Sequence, residues 1–284
     1  MIRRTIVFTL LGAMLVSVTG CVGTIGASTL TPKVTPPAIA HAGILRAAID
    51  MNLPPFGGTV KGENVGLDVD VAAAVAEQLG LKLEVVNAAP PAAAALLASG
   101  TVDIVLGGLT VDSAVAAQIA FAGTYVADAP GVFASQGASV SVEAIGTKRI
   151  AVQKESLAYW LLLDTYGEAP LVVVPSLDEA FKAVVSKKAD VVAGDALVGS
   201  YMLRTYPAFA YQGQIGSAFP LGIGVAQADP KLETQVRSAL DKLAAQGVLE
   251  TLRRKWVGDV PPLKVVETPA SQEASASLAA TPAP

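Results

Sequence analysis

The chain has almost none of the residues on which most metal sites and catalytic triads depend. Cys21 is its only cysteine and His41 its only histidine. One cysteine forms no disulfide within a chain, and one cysteine with one histidine cannot complete a structural zinc site. A Ser-His-Asp triad would have to use His41, which lies in a segment rich in proline, alanine and threonine. We therefore expect no metal, no cofactor and no triad.

Charged and aromatic residues are also scarce. Charged residues make up 15% of the chain and aromatic residues 5%, with a formal net charge of −4. An average globular domain has about 25% charged residues. No run of basic residues interleaved with aromatics occurs in the sequence, and such a run is the usual footprint of a nucleic-acid-binding surface. We therefore expect no nucleic acid partner.

A short apolar run stands near the start. Arg3 and Arg4 precede apolar residues 6–18, a stretch too short for a permanent membrane span and typical of a secretory signal. The run ends in VTGC at Cys21, which resembles the lipobox of bacterial lipoproteins, where the cysteine is acylated. An ordinary signal peptide cut elsewhere, with Cys21 incidental, is the alternative.

Both ends of the chain consist mainly of small and polar residues, which cannot offset the entropy lost on ordering. The composition predicts a signal peptide over residues 1–20, a lipidated flexible tether over 21–42 and a disordered tail over 259–284. The segment between them is long enough for one large or two modest domains.

Within that segment, a helical pattern is followed at once by a strand pattern. Apolar residues recur every fourth position from Val71 to Leu79, and Gly80 then provides a left-handed stop. Asp68 and Asp70 stand where the helix begins, and we expect their carboxylates to accept from its free N–H groups. The residues after Gly80 alternate between apolar and charged, as in a strand.

The same alternation occurs twice along the chain. SGTVDIVLGGLT from Ser99 lines up with SKKADVVAGDAL from Ser186, placing Asp103 over Asp190. A coincidence between two buried, valine-rich strands is the alternative. Strands alternating with helices favour parallel sheets, in which small ligands bind beyond the carboxyl ends of the strands. The pattern predicts two similar α/β lobes with the chemistry in their loops.

Six blocks carry a resemblance to a known family. They are ILRAAIDMNLPPF from Ile44, VGLDVDVAAAVAEQLG from Val65, GTVDIVLGGLT from Gly100, IAFAGTYV from Ile119, ADVVAGDA from Ala189 and AQGVLETLRRKWVG from Ala245. In this order they resemble bacterial extracellular solute-binding proteins of the polar amino acid type, the receptors of ABC importers. The resemblance implies an α/β fold of the two-lobe, periplasmic-binding-protein-like (type II) kind, with two hinge strands and a ligand cleft.

The resemblance also implies boundaries. Lobe 1 covers residues 43–126 plus 221–258, and the hinge with lobe 2 covers 127–220. The hinge strands are expected at 127–133 and 216–220.

The resemblance also implies ligand-binding residues, each matched to a position of the family. Asp50 and Asp195 match carboxylates that line the cleft, and Asp195 matches the one that takes the ligand ammonium. Ser156 matches a donor to the ligand carboxylate, at a helix start. Gly108 and Thr110 match donors at the end of a lobe 1 strand.

Two further candidates, Leu53 and Phe56, lie in the first loop, where the family has a covering aromatic at the position of Leu53. Four of these assignments have a plainer, purely structural role as the alternative. Asp50 would satisfy N–H groups in its own loop, Asp195 and Ser156 would cap helices, and Phe56 would pack in the core.

Three departures change the expected ligand. The arginine with which the family clamps a carboxylate falls on Val115, and the two aromatics fall on Leu53 and near Pro90. A guanidinium offers two parallel hydrogen bonds to a carboxylate, which valine cannot replace. The site keeps the acidic half of an amino acid pocket, so we expect a solute with a cationic nitrogen.

The sequence thus predicts an extracytoplasmic solute-binding lipoprotein of an ABC importer. It is expected to be a monomer, anchored to the membrane through Cys21, that captures a small polar, amine-bearing solute for an ABC permease. A sensory or scaffold protein that keeps the fold without the ligand is one alternative. A periplasmic dehydratase-like enzyme, acting on prephenate or arogenate, is the other.

Overall fold

The computed structural model describes residues 31–110 and 118–265. Its strands are β1 Ile44–Ile49, β2 Gly58–Val60, β3 Glu63–Val65, β4 Lys82–Asn87, β5 Ile104–Val105, β6 Ala120–Asp128, β7 Pro130–Ser135, β8 Ile150–Gln153, β9 Leu171–Val174, β10 Val191–Asp195, β11 Phe209–Gln214 and β12 Phe219–Val225. Its α-helices are α1 Leu67–Gln78, α2 Ala93–Ala98, α3 Leu157–Tyr166, α4 Leu177–Val185, α5 Ala196–Met202, α6 Pro230–Ala245 and α7 Val248–Val257. Two short 3-10 helices, Pro90–Ala92 and Ile145–Thr147, also lie within the described residues.

The strands form two five-stranded sheets with matching layouts. The first has the order β4-β1-β5-β12-β6 and the second the order β11-β7-β10-β8-β9. In the first, β1 runs parallel to β4 and β5, and in the second, β8 runs parallel to β9 and β10. Each sheet also contains antiparallel strands, β12 and β6 in the first and β7 and β11 in the second. We call the part built on the first sheet lobe 1 and the part built on the second lobe 2.

The internal repeat corresponds to a real structural equivalence. Asp103 Oδ2 accepts a hydrogen bond from the Arg46 backbone N–H at 2.8 Å, and Asp190 Oδ2 accepts one from the Arg149 backbone N–H at 2.9 Å. Each aspartate also donates its own backbone N–H to the carbonyl of the same arginine. The two aligned carboxylates therefore fasten the start of one strand in each lobe.

The chain passes between the two sheets twice. The first passage is at Ala129, between β6 and β7, and the second is over residues 215–218, between β11 and β12. The resemblance implies hinge strands at 127–133 and 216–220, and both passages fall within or next to these ranges. Most residues of the two ranges lie in β6, β7 and β12.

Part of the predicted tether packs against lobe 1. Val34 and Ile39 are each 1% exposed and belong to the lobe 1 core. Ala40 donates its N–H to Asp103 Oδ1 at 2.8 Å. The expectation of a flexible segment up to residue 42 is therefore wrong from Thr31 onward, because two large apolar side chains provide enough burial to order it. Cys21 lies outside the described residues.

The predicted tail needs the same correction at its start. Val260 is only 6% exposed, and Leu263 packs on the lobe 1 core. Lys264 donates its N–H to Gln214 Oε1 at 2.6 Å, and its carbonyl accepts from Ala218 N at 2.9 Å. Residues 259–265 therefore lie along the second passage between the sheets.

Candidate functional site

The carboxyl ends of the parallel strands bring the lobe 1 candidates to one edge of the first sheet. Asp50 follows β1, Asn87 ends β4, and Gly107 comes soon after β5. Asn87 Oδ1 accepts from Met51 N at 3.1 Å. A Cβ built on Gly107 would lie 3.9 Å from the backbone N of Asp50. This is the edge at which open α/β sheets bind ligands.

The three candidates in the first loop differ in their burial and in their hydrogen bonds. Asp50 is half-buried, and its Oδ1 accepts from Asn52 N at 2.9 Å, which is the plainer role considered for it. Leu53 is 36% exposed, and its carbonyl accepts from Phe56 N and Gly57 N. Phe56 is 3% exposed within the lobe 1 core. This core position is the plainer role considered for Phe56, and its assignment as a ligand contact stays a prediction.

The loop after β5 is open on one side. Gly108 has φ +72°, and no atom lies within 4 Å of where its Cβ would be. Its backbone amide faces the Tyr125 hydroxyl, however, and this competes with the predicted role as a donor to the ligand. Thr110 pairs with Leu221 as an isolated bridge. Val115 lies outside the described residues.

The lobe 2 candidates lie at the corresponding edge of the second sheet. Ser156 caps α3, with its Oγ accepting from Tyr159 N at 3.1 Å. Asp195 ends β10 and caps α5, with its Oδ1 accepting from Val198 N at 2.8 Å. Both capping roles are the plainer ones considered above, and both residues remain half-buried.

Asp195 has a neighbour that the sequence analysis did not single out. Asp128, the last residue of β6, is 1% exposed, and its Oδ1 accepts from Ala129 N at 2.7 Å and Leu197 N at 3.2 Å. Since Leu197 and Val198 are consecutive residues at the start of α5, the carboxyls of Asp128 and Asp195 lie next to each other. The available signal was an acidic residue inside the apolar stretch TYVADAPGVFA, next to the predicted hinge.

The two carboxyls affect each other's ionisation. Burial, and then the negative charge of Asp195, raise the pKa of Asp128 well above its usual range. Burial also raises the pKa of Asp195, against an opposing effect of its hydrogen bonds from Asp128 and from backbone N–H groups. Desolvation disfavours a charged carboxylate, and a second charge nearby adds to that cost. The pair therefore favours a state with fewer than two negative charges.

A second buried acid lies behind the same loop. Asp68 is fully buried, and its Oδ1 accepts from the Tyr125 hydroxyl at 2.7 Å, whereas its Oδ2 has no hydrogen-bond partner. The expectation that Asp68 caps α1 is wrong, because Gly66 begins that helix without a side-chain cap. Burial raises the pKa of Asp68 to about 7, despite the opposing hydrogen bond from Tyr125.

The raised pKa of Asp68 predicts that the stability of the protein depends on pH. Its folded pKa of about 7 lies above its ordinary value of 3.8, so folding favours the protonated form, and the stabilisation is lost as pH rises through 7. Between pH 6 and 8 this one group should lower the free energy of unfolding by about 1 kcal/mol. Urea titrations at several pH values measure the slope. Asp68→Asn should flatten it, whereas Asp164→Asn on the exposed face of α3 should not. An unchanged slope in Asp68→Asn contradicts the assignment.

No candidate residue lines any of five cavities found among the described residues. The two largest have volumes of about 490 and 500 Å³. One of about 200 Å³ lies beside the first loop, lined in part by Pro54, Pro55, Tyr201 and Trp256. None of the five is lined by Asp50 or Asp195, so the structure does not place these two carboxylates on one of these cavities.

Among the described residues, no cluster of three acidic, histidine or cysteine side chains is placed to hold a metal. No helix among them has the length and apolarity of a membrane span.

Two α/β lobes of matching topology, joined by two passages of the chain, define the class of two-lobe binding proteins with the type II periplasmic fold. The family model described as bacterial extracellular solute-binding proteins, family 3, matches residues 45–259. The chain belongs to this family.

Individual relatives agree with the family. The chain is 26% identical over 220 residues to the putative ABC transporter arginine-binding protein 2 of Escherichia coli (strain K12), covering 75% of this chain and 90% of that protein. It is 30% identical over 154 residues to the virulence sensor protein BvgS of Bordetella pertussis (strain Tohama I), covering 54% of this chain and 12% of that protein.

A solved structure shows the same fold. The ancestral cationic amino acid solute-binding protein AncCDT-1 superposes with a TM-score of 0.68 at 25% identity, covering 76% of this chain and 96% of that chain.

Proposed function

We propose that the protein captures a small polar solute with a cationic nitrogen, an amino acid or a related amine, outside the cytoplasm and delivers it to an ABC permease. Lipid on Cys21 would hold it at the membrane. The bound solute is released unchanged, since the proposal needs only binding and closure of the two lobes.

The Asp195 carboxyl, with Asp128 behind it, is the observation that carries this proposal. It stands at the carboxyl end of β10, where a ligand is expected. Among the described residues, no Lys or Arg contributes to the ionisation of either carboxyl, so the negative charge has no cationic partner there. A buried carboxylate without a cation is stabilised by a cationic ligand. The names of the arginine-binding relative and of the cationic amino acid-binding ancestor are consistent with such a ligand.

Calorimetry tests the proposal directly. Purified protein is titrated with basic, neutral and acidic amino acids, with simple amines and with betaine-like solutes. We expect an amine-bearing solute to bind and acidic amino acids not to bind. Tight binding of an acidic amino acid would contradict the charge argument.

Asp195→Asn should weaken binding of that solute about ten- to hundredfold, because a hydrogen bond to a charged group contributes roughly 1.5–3 kcal/mol. The amide can still accept from Val198 N and preserve the cap of α5. Asp241→Asn, on an exposed position of α6, is the matched control and should bind as the wild type does. Equal affinity in the Asp195 and Asp241 variants rules out Asp195 as the ammonium acceptor.

A sensory role without transport is the second candidate, favoured by the match to part of BvgS. A neighbouring permease and ATPase gene would support import, and their absence would favour sensing. For the enzymatic alternative, incubation with prephenate or arogenate should leave the substrate unconverted.

A further inference from the structure

We propose that Asp128 and Asp195 share one proton in the empty site and that the ligand ammonium displaces it, so that solute capture releases a proton. This inference rests on the proposed function, because it concerns the same ligand nitrogen. It adds Asp128 as a second determinant of the site and a dependence of affinity on pH.

The proximity of the two carboxyls is the first argument. Asp128 Oδ1 accepts the N–H groups of Ala129 and Leu197, and Asp195 Oδ1 accepts that of Val198, the residue next to Leu197. Acceptors on consecutive N–H groups at the start of α5 bring the two carboxyls side by side, and Asp128 is 1% exposed. Two adjacent carboxylates repel each other, and burial removes the water that would screen them, so one retained proton relieves the repulsion. An ionised carboxylate has acceptor oxygens only, so that proton also provides the donor for a hydrogen bond within the pair.

The surroundings of the pair give the second argument. Two tyrosines from different sheets, Tyr125 on β6 and Tyr211 on β11, lie close enough to Asp128 to feel its charge. Burial raises the pKa of both, and the charge of Asp128 adds to this, after that of Asp68 in the case of Tyr125. Neither tyrosine is ionised near neutral pH, so neither compensates the pair. Among the described residues, no cationic side chain contributes to the ionisation of either aspartate. Only a proton or a cation from outside can neutralise the second negative charge.

The position of the pair gives the third argument. Asp128 is buried at the passage between the sheets, whereas Asp195 is half-buried at the edge of the second sheet. A ligand nitrogen reaching Asp195 would thus approach the outer member of the pair. The step balances in charge: the ammonium enters with one positive charge, the pair becomes fully ionised, and one proton passes to water.

Two measurements test this inference. In the ligand-free protein, carboxyl carbon NMR titration should show the two members of the pair losing their protons in separate steps, one of them well above the usual range of an aspartate, a step that Asp128→Asn removes. Calorimetry of an amine ligand in buffers of different ionisation enthalpy should then show about one proton released per solute bound, with affinity falling about tenfold per pH unit below the pKa of the pair.

Asp128→Asn is the decisive variant, because asparagine keeps an acceptor for Ala129 N and Leu197 N but cannot ionise. It should still bind the amine through Asp195, with proton release near zero, while Asp241→Asn releases as much as the wild type. Binding without proton release in the wild type, or ordinary titration of both carboxyls near pH 4, overturns the inference and leaves the proposed function standing. If no amine binds, the proposed function fails and the inference with it.

Discussion

Replacing Gly66 with alanine should lower the free energy of unfolding by roughly 3 kcal/mol or more, since backbone strain and a core clash add together. Gly66 has φ +148°, and a Cβ built on it would lie 2.0 Å from the carbonyl oxygen of Phe56. That oxygen cannot easily move aside, because it accepts the first-turn N–H of Asp68 at 3.0 Å. Urea denaturation of both proteins measures the difference.

Gly62→Ala separates the two contributions. Gly62 also has a positive φ, +85°, but no atom lies within 4 Å of where its Cβ would be. Gly62→Ala should lower the free energy of unfolding by only about 1 kcal/mol, the usual cost of such a backbone conformation. If both variants lowered the free energy of unfolding equally, the carbonyl of Phe56 would be able to move aside easily. A large difference would show that the first loop, which carries Asp50, is held rigidly against the start of α1.

Phe181→Ala should destabilise lobe 2 by about 3–5 kcal/mol, the range for removing a buried aromatic ring. Phe181, on α4, is fully buried. Its ring centroid lies 4.8 Å from that of Tyr206, 5.1 Å from Phe209 and 5.6 Å from Phe133. Alanine would leave a cavity among three rings that cannot all move into it. Chemical denaturation followed by near-ultraviolet circular dichroism reports the loss of this cluster.

Trp160→Ala is the control for that experiment. Trp160 is also a large aromatic residue of lobe 2, but it is 53% exposed on α3. Its replacement should change the free energy of unfolding by about 0.5 kcal/mol or less, as at most surface positions. A loss as large as that of Phe181→Ala would mean that Trp160 is covered in the folded protein.

Much of the fold could be predicted because its signals are local. The apolar stripe from Val71 and the stop at Gly80 predicted a helix followed by a strand, and the structure confirms α1 and β4 there. The aligned copies around Asp103 and Asp190 predicted equivalent positions, which the hydrogen bonds of both residues confirm. Periodicity and turn residues depend on neighbours in the chain, so one sequence suffices to find them.

The candidate site was less predictable, because the role of a carboxyl depends on what lies across from it. Asp68 looked like an acid at a helix start, yet its partner is Tyr125, 57 residues further along the chain. Asp128 was not singled out at all, and its partners Leu197 and Asp195 come from the other lobe. Phe56 carried a ligand assignment, whereas the structure shows it packed in the lobe 1 core.

By itself, the sequence determined the order of helices and strands, the internal repeat, and the motifs through which the family is identified. Only the tertiary structure decided which acids are buried, which are paired and which chain ends are ordered. The physical reason is that secondary structure follows from the spacing of side chains along the backbone. Ionisation and burial follow instead from groups that folding brings together from distant parts of the chain.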